Sequence, residues 1–297
     1  MKYYFSLIYF CFISLAVYAQ DLEPRSYANL PKDLNAINVL YSLAQGNVIA
    51  DPSLPIKDFT ITTHSVGAAY VRTFSLANKL ARVQVVVPFL HMSGNLKLNG
   101  VDTTGIRSGF GDARFRFGIN LIGSPALNKK DFRNFQQKTI VGVSVVVSVP
   151  TGLYYDDKRI NIGSHRWAVK PEIGISRRFK RVYAEAYAGC WFYTNNSEFL
   201  VNKTLEQQPV LSFQAHACYY FKNKMWVGVD GNWFNGGKTI VDEVASGDLK
   251  DNYRVGVTWS VPLSAKHSLK LQFHTGAFTK SGYDYNAASL GYQFVFF

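Results

Sequence analysis

Apolar and polar residues take turns along most of this chain. Tyr253, Val255, Val257, Trp259 and Val261 alternate with Arg254, Gly256, Thr258 and Ser260. Asp112, Arg114, Arg116, Gly118 and Asn120 alternate with Phe115, Phe117, Ile119 and Leu121, so one face is charged or polar and the other wholly apolar. Period two means strand, because successive side chains point to opposite faces. Twelve such runs are marked, at residues 34–44, 59–74, 80–91, 112–121, 139–149, 166–179, 182–193, 210–221, 225–234, 253–261, 269–274 and 289–296. The second alternates too weakly for its faces to be assigned.

The connections sharpen the picture. Tight turns at 77–78, 180–181, 222–224 and 263–266 alternate with longer segments at 93–109, 150–164, 195–208, 235–252 and 280–284. A further loop holds Pro52 and Pro55, which remove ladder donors and exclude it from strand interior. The exception is 123–137, which falls where a short turn belongs and carries one helical turn around 128–135. An even strand count, short turns on one side and long loops on the other are the pattern of a membrane barrel. The longest apolar stretch, 139–150, is broken by Gly142, Ser144 and Ser148, so no run reaches the roughly 18 apolar residues of a membrane helix. The expected fold is all-β, a transmembrane antiparallel up-and-down barrel of about 12 strands; a soluble sandwich or lipocalin-like barrel is the alternative.

Targeting fits that expectation. Lys2, an apolar run and Val17-Tyr18-Ala19 read as a signal peptide over 1–19, leaving 20–297 as the barrel domain, with no internal boundary. Charged residues are 18% and aromatics 15%, low in charge and rich in rings for a soluble secreted chain. The formal charge of +12 is spread singly along the sequence, which argues against a nucleic-acid partner. Cys190 and Cys218 fall on opposite strand parities, so no disulfide is expected, and neither metal-ligand spacing nor a cofactor motif is seen.

Several motifs, in order, resemble one known family. They are Asp51-Pro52-Ser53-Leu54-Pro55, Ser108-Gly109-Phe110-Gly111-Asp112 with Arg114, Thr139-Ile140-Val141-Gly142 and Pro150-Thr151-Gly152. Asn161-Ile162-Gly163 follows, running into Arg166-Trp167 with Lys170-Pro171-Glu172, and then Trp191 before Thr194-Asn195-Asn196. The chain is similar to the bacterial outer-membrane proteins named for a MetA pathway of phenol degradation. The aromatic strand at the end of the sequence likewise resembles the closing strand of outer-membrane barrels, where the last aromatic is read by the barrel-insertion machinery; Phe297 stands one residue beyond the apolar parity of Phe296. The resemblance implies a Gram-negative outer membrane and a role near aromatic-compound uptake. It supplies no functional residues.

The candidate residues are charges on the inward parity. The cations are Arg82, Arg114, Arg116, Lys170, Arg178, Arg254 and Lys270, and the anions Asp112, Glu172, Glu185 and Asp230. A lysine or arginine on the lipid face at mid-membrane costs about 2–4 kcal/mol, so these must line a lumen. Their positive excess suits small anions such as aromatic carboxylates; the competing reading is a salt-bridged plug that conducts nothing. Trp167, Phe192, Trp233, Tyr253, Trp259 and Tyr292 form the expected outward belt against outer-membrane lipids. The expected function is passage of small aromatic or hydrophobic molecules. A structural or adhesive barrel is the alternative, and an outer-membrane hydrolase the third. No enzyme is expected: Ser212 and His216 lie about 13 Å apart along a strand, and a pairing of Ser289 with His274 across neighbouring strands is explained as well by chance.

Overall fold

A computed structural model describes residues 22–49, 56–98 and 100–297. The proposed leader, residues 1–19, and the two prolines of the first loop lie outside the described residues. The elements are β1 Asn35–Ile49, β2 Ile56–Leu76, β3 Lys79–Leu98, β4 Val101–Phe110, β5 Ala113–Ile122, α1 Lys129–Phe132, β6 Thr139–Val149, β7 Ala168–Phe179 and β8 Val182–Tyr193. They continue as β9 Asn196–Phe199, β10 Lys203–Gln207, β11 Val210–Tyr220, β12 Trp226–Gly236, β13 Thr239–Val241, β14 Val244–Ala245, β15 Lys250–Pro262, β16 His267–Thr279 and β17 Gly282–Phe296.

Each long strand pairs antiparallel with the next, and β1 closes on β17 from Asn35↔Phe296 to Ile49↔Gly282. β4 and β5 pair with the two halves of β3 and act as one stave, interrupted at Gly111-Asp112 opposite Pro88, whose carbonyl accepts from the Gly111 amide. The result is a closed barrel of 12 staves. Closure leaves no free strand edge in the barrel wall, which a strand in hydrocarbon requires.

The parity read from the sequence sets the faces. In β7 and β11 buried and exposed residues alternate almost without fault. Phe115, Phe117, Ile173, Phe213, Val229, Val257 and Leu290 point outward and are exposed, as lipid-facing residues must be. Outward rings form a cross-strand ladder, Phe213–Trp233–Tyr253–Phe278, with centroids 5.4, 6.0 and 6.4 Å apart. Cys190 lies on the outward parity of β8 and buried Cys218 on the inward parity of β11, both as free thiols.

Two segments differ from expectation. Residues 93–109 are not a loop but the outer halves of a β3–β4 hairpin, with Leu98↔Val101 at its tip. Residues 280–284 likewise reduce to a tight turn between β16 and β17. At these places the rim is raised by long strands. The connection 123–138 holds α1, capped by Asn128, whose side-chain carbonyl accepts from the Lys130 and Asp131 amides, both at 2.9 Å. Loops 194–209 and 237–249 meet in a separate sheet, β14-β13-β10-β9, at the end opposite the tight turns.

The seam between β1 and β17 is a test of closure. A Cβ at Gly46 would stand 1.9 Å from the Asp284 carbonyl oxygen, whereas one at Gly67 meets nothing within 4 Å. Gly46→Val should abolish most of the heat-modifiable folded band on semi-native gels, and Gly67→Ala should leave it unchanged.

Candidate functional site: the plugged lumen

The polar lead before the first strand has no periodicity, and the sequence reading gave it no role. It is the central feature of the interior. At the tight-turn end it is moored by Thr73, whose hydroxyl donates to the Pro31 carbonyl at 2.7 Å and accepts from the Leu34 amide at 3.0 Å. The Lys32 amide donates to Leu127 in the α1 connection at 2.8 Å. From there residues 22–31 run into the barrel.

Tyr27 seats the segment. Its ring lies over Gly142 and Gly174, which face each other directly across β6 and β7. A Cβ on either would come within 2.5 and 2.2 Å of that ring, so the pair forms a notch that only glycine leaves open. The Tyr27 hydroxyl lies 3.0 Å from Ser144 Oγ and 3.1 Å from Glu172 Oε1, and the ring meets Tyr187 edge-on at 5.0 Å.

Charge pairs hold it further in. Arg116 bridges two carboxylates, Glu172 of the wall and Glu23 of the segment, while Lys170 Nζ sits 2.9 Å from the other Glu172 oxygen. Arg25 donates to both oxygens of Glu185, from its amide and its guanidinium, each at 2.7 Å. Ser176 and Tyr187 donate to the same carboxylate at 2.7 and 2.6 Å. The Arg25 guanidinium stacks over Tyr183 at 4.0 Å. Arg82 donates to the carbonyls of Ser26 and Ala28 at 2.6 and 2.7 Å. The Glu23 amide and the Leu22 carbonyl reach Gln214 and Gln272 on the far wall. Glu185 is fully buried and Arg25 nearly so; breaking one side of such a pair costs about 3–5 kcal/mol.

Several other inward charges have partners on the wall or the turns. His216 Nδ1 lies 2.7 Å from Asp230 Oδ1, and Thr258 donates to the other oxygen at 2.6 Å. Arg254 donates to His274 Nδ1 and the Tyr285 carbonyl, both at 2.8 Å, with its guanidinium 3.7 Å above the Tyr285 ring. Asp112 is buried at the loop end, where it accepts from the Gly152 amide and from the amide and hydroxyl of Ser164, folding loop 150–164 inward. Arg114 shares the inward parity of Asp112 and Arg116. Lys270 lies on the inward parity of β16 but is exposed. Arg178, near the tight-turn end, donates to the Lys180 carbonyl. Ser289 bonds Ser42 at 2.8 Å and His274 bonds Arg254, so the Ser289–His274 pairing is not made.

The interior is also less uniformly polar than the sequence suggested. Toward the loop end the inward faces of β1, β2 and β17 carry Val48, Phe59, Ile61, Tyr283, Tyr285 and Ala287 as one buried cluster. Ile160 of the folded-in loop packs against it, and Ile162 against Leu90 and Met92. On β1 and β17 these positions lie beyond the runs 34–44 and 289–296 read from the sequence, at the longer outer ends of the two strands, and they are apolar. Alternation reports which face a residue occupies and says nothing about whether the enclosed space is wet.

The family model described as "Putative MetA-pathway of phenol degradation" matches residues 44–290. No curated protein matches by sequence. In three dimensions the chain is similar to an outer membrane channel from Pseudomonas putida F1, at 20% identity and TM-score 0.80, over 93% of this chain and 100% of that one. It is also similar to the transport unit of the autotransporter AIDA-I from Escherichia coli, at 8% identity and TM-score 0.54, over 95% of each. Identities this low carry the fold, a transmembrane antiparallel barrel, and nothing finer.

If residues 22–31 close the lumen, loosening them should open it. Arg25→Ala combined with Tyr27→Ala strands Glu185 and empties the glycine notch, and should raise single-channel conductance in planar bilayers severalfold while the barrel stays heat-modifiable. Unchanged conductance would show that the segment does not limit flow. The closure should also withstand mild acid. Burial alone would raise the Glu23 pKa, but Arg116, Lys170 and Arg114 outweigh it and hold the carboxyl down to about 2. A depressed pKa stabilises the bound segment fully above the ordinary value of 4.5, and that stabilisation is lost only as pH falls toward 2. Conductance should therefore stay constant between pH 7 and pH 5.

Proposed function

Because the chain belongs to the phenol-degradation family whose model it matches, we propose that it resides in a Gram-negative outer membrane and passes small, largely apolar or aromatic molecules across it. The observation that carries this reading is the apolar wall inside the loop-end half of the barrel, built from Val48, Phe59, Ile61, Tyr283 and Tyr285 and roofed by Ile160. An apolar solute gains about 25 cal/mol for each Å² it removes from water. The plug supports the same reading, since it narrows the path that a freely diffusing hydrophilic solute would need.

A non-conducting structural barrel is the second reading, and the mutually satisfied network of Arg116, Glu23, Glu172, Arg25 and Glu185 favours it. Uptake separates the two. Cells carrying the gene should take up small aromatics, the neutral phenol or the acid benzoate, severalfold faster than cells lacking it, with sugar uptake unchanged. Equal uptake of every compound would favour the structural barrel.

A further inference from the structure

We propose that the loop-end mouth of the lumen holds an anion site, built from Arg166 and Lys250, that takes the carboxylate of an apolar or aromatic acid. Both side chains point inward at the outer ends of their staves, and both residues are buried, at 4% and 7% exposure. They converge on one small group of acceptors. An Arg166 Nη2 proton goes to Gln207 Oε1, Gln207 Nε2 donates to the Gly237 carbonyl at 3.2 Å, and Lys250 Nζ donates to that same carbonyl at 3.3 Å.

What is missing is a carboxylate in contact with either cation. Among the described residues, no carboxylate lies within ion-pair distance of either cation. Two acids act on the pair through space without contacting it, Asp248 on both cations and Asp112 on Arg166. Asp248 accepts from the Thr239 amide and hydroxyl, both at 2.8 Å, and Asp112 is occupied by Gly152 and Ser164. Arg166 Nη1 is buried without any hydrogen-bond partner. The buried Arg166 donor is left without an acceptor, and an entering anion would satisfy it.

The surroundings select the anion's body. The Arg166 guanidinium stands 4.7 Å over the Tyr193 ring, which stacks on Trp191 at 6.5 Å. Val210 and Phe234 complete a buried apolar floor beside them. A planar carboxylate matches the guanidinium fork, and an attached ring would lie against Tyr193 and Trp191. The inference rests on the proposed role in solute passage, whose substrate class it narrows to organic acids.

Calorimetric titration of the full-length folded barrel in non-ionic detergent tests it, with benzoate, benzyl alcohol and inorganic phosphate as probes. Benzoate should bind about tenfold or more tightly than benzyl alcohol, as the loss of a charge-assisted hydrogen bond implies. Arg166→Gln and Lys250→Gln should each weaken benzoate by a similar factor, while Lys250→Arg keeps it. Heat-modifiable migration checks that each variant is folded, and the comparison of probes on the unaltered chain needs no variant. Equal binding of benzoate and benzyl alcohol, or benzoate binding indifferent to both substitutions, would overturn the site. Phosphate binding more tightly than benzoate would mark a site for a free inorganic anion and overturn the assignment to an organic acid. Failure of every aromatic, neutral or acidic, to enter cells would sink the transport reading and leave this binding result standing.

Discussion

A lysine or arginine pressed against acyl chains at mid-membrane costs about 2–4 kcal/mol, and the interior of this barrel is shaped by where that rule sends its charges. Turned inward, they enter a lumen too narrow to solvate them as bulk water would, so each needs a partner. The wall alone does not provide a full set. Arg116 and Lys170 face the single carboxylate of Glu172, and Glu185 has hydroxyl donors from Ser176 and Tyr187 but no wall cation in ion-pair contact among the described residues. The N-terminal segment brings what is lacking, Glu23 to the first group and Arg25 to the second. Arg82 receives two carbonyls in place of an anion. The wall and the segment are two parts of one charge-balanced object.

How much of this the sequence shows depends on contrast. β5, β6, β7 and β11 have small or polar inward residues and mostly large apolar outward ones, so their faces are legible at sight. β2 puts Ser65, Gly67 and Ala69 inside against Val66 and Ala68 outside, and the difference in polarity nearly vanishes. In β4, residues 101–106 are all exposed; with water on both faces no selection for alternation operates, and the strand reads as a loop. The plug is invisible for a different reason. Its partners lie far away in sequence, as Tyr27 does from Glu172 and Arg25 from Glu185, and a peptide lying in a lumen need not alternate. The nearest thing to a signal is Gly142 opposite Gly174, a gap in the inner wall that becomes meaningful only once the strand register is known.

The two competing readings of the inward charges, a selective polar lumen and a salt-bridged plug, draw support from different heights of the same cavity. Deep in the barrel the charges are paired and the segment fills the space. Nearer the loops the pairing fails: Arg166 and Lys250 have no acid in ion-pair contact, and the opposite wall becomes apolar. Arg166 and Lys250 are loop-end cations that the inward count from sequence did not include, whereas Arg82, Arg178 and Lys270 of that count lie toward the tight-turn end.

That gradient bears on how a closed lumen could admit a solute. A neutral molecule reaching the plug offers nothing to replace the charges it would have to displace. An acid does. Of the two carboxylates on Arg116, Glu172 is 1% exposed and fixed on β7, whereas Glu23 is 34% exposed and sits on the segment. A solute carboxylate that takes the place of Glu23 exchanges like for like and leaves the charge balance of the wall intact. On the proposed reading, the cations at the mouth and the exposed half of the Arg116 bridge then favour the same chemical group at successive depths, and the weakest link in the plug is the one an organic acid is equipped to compete for.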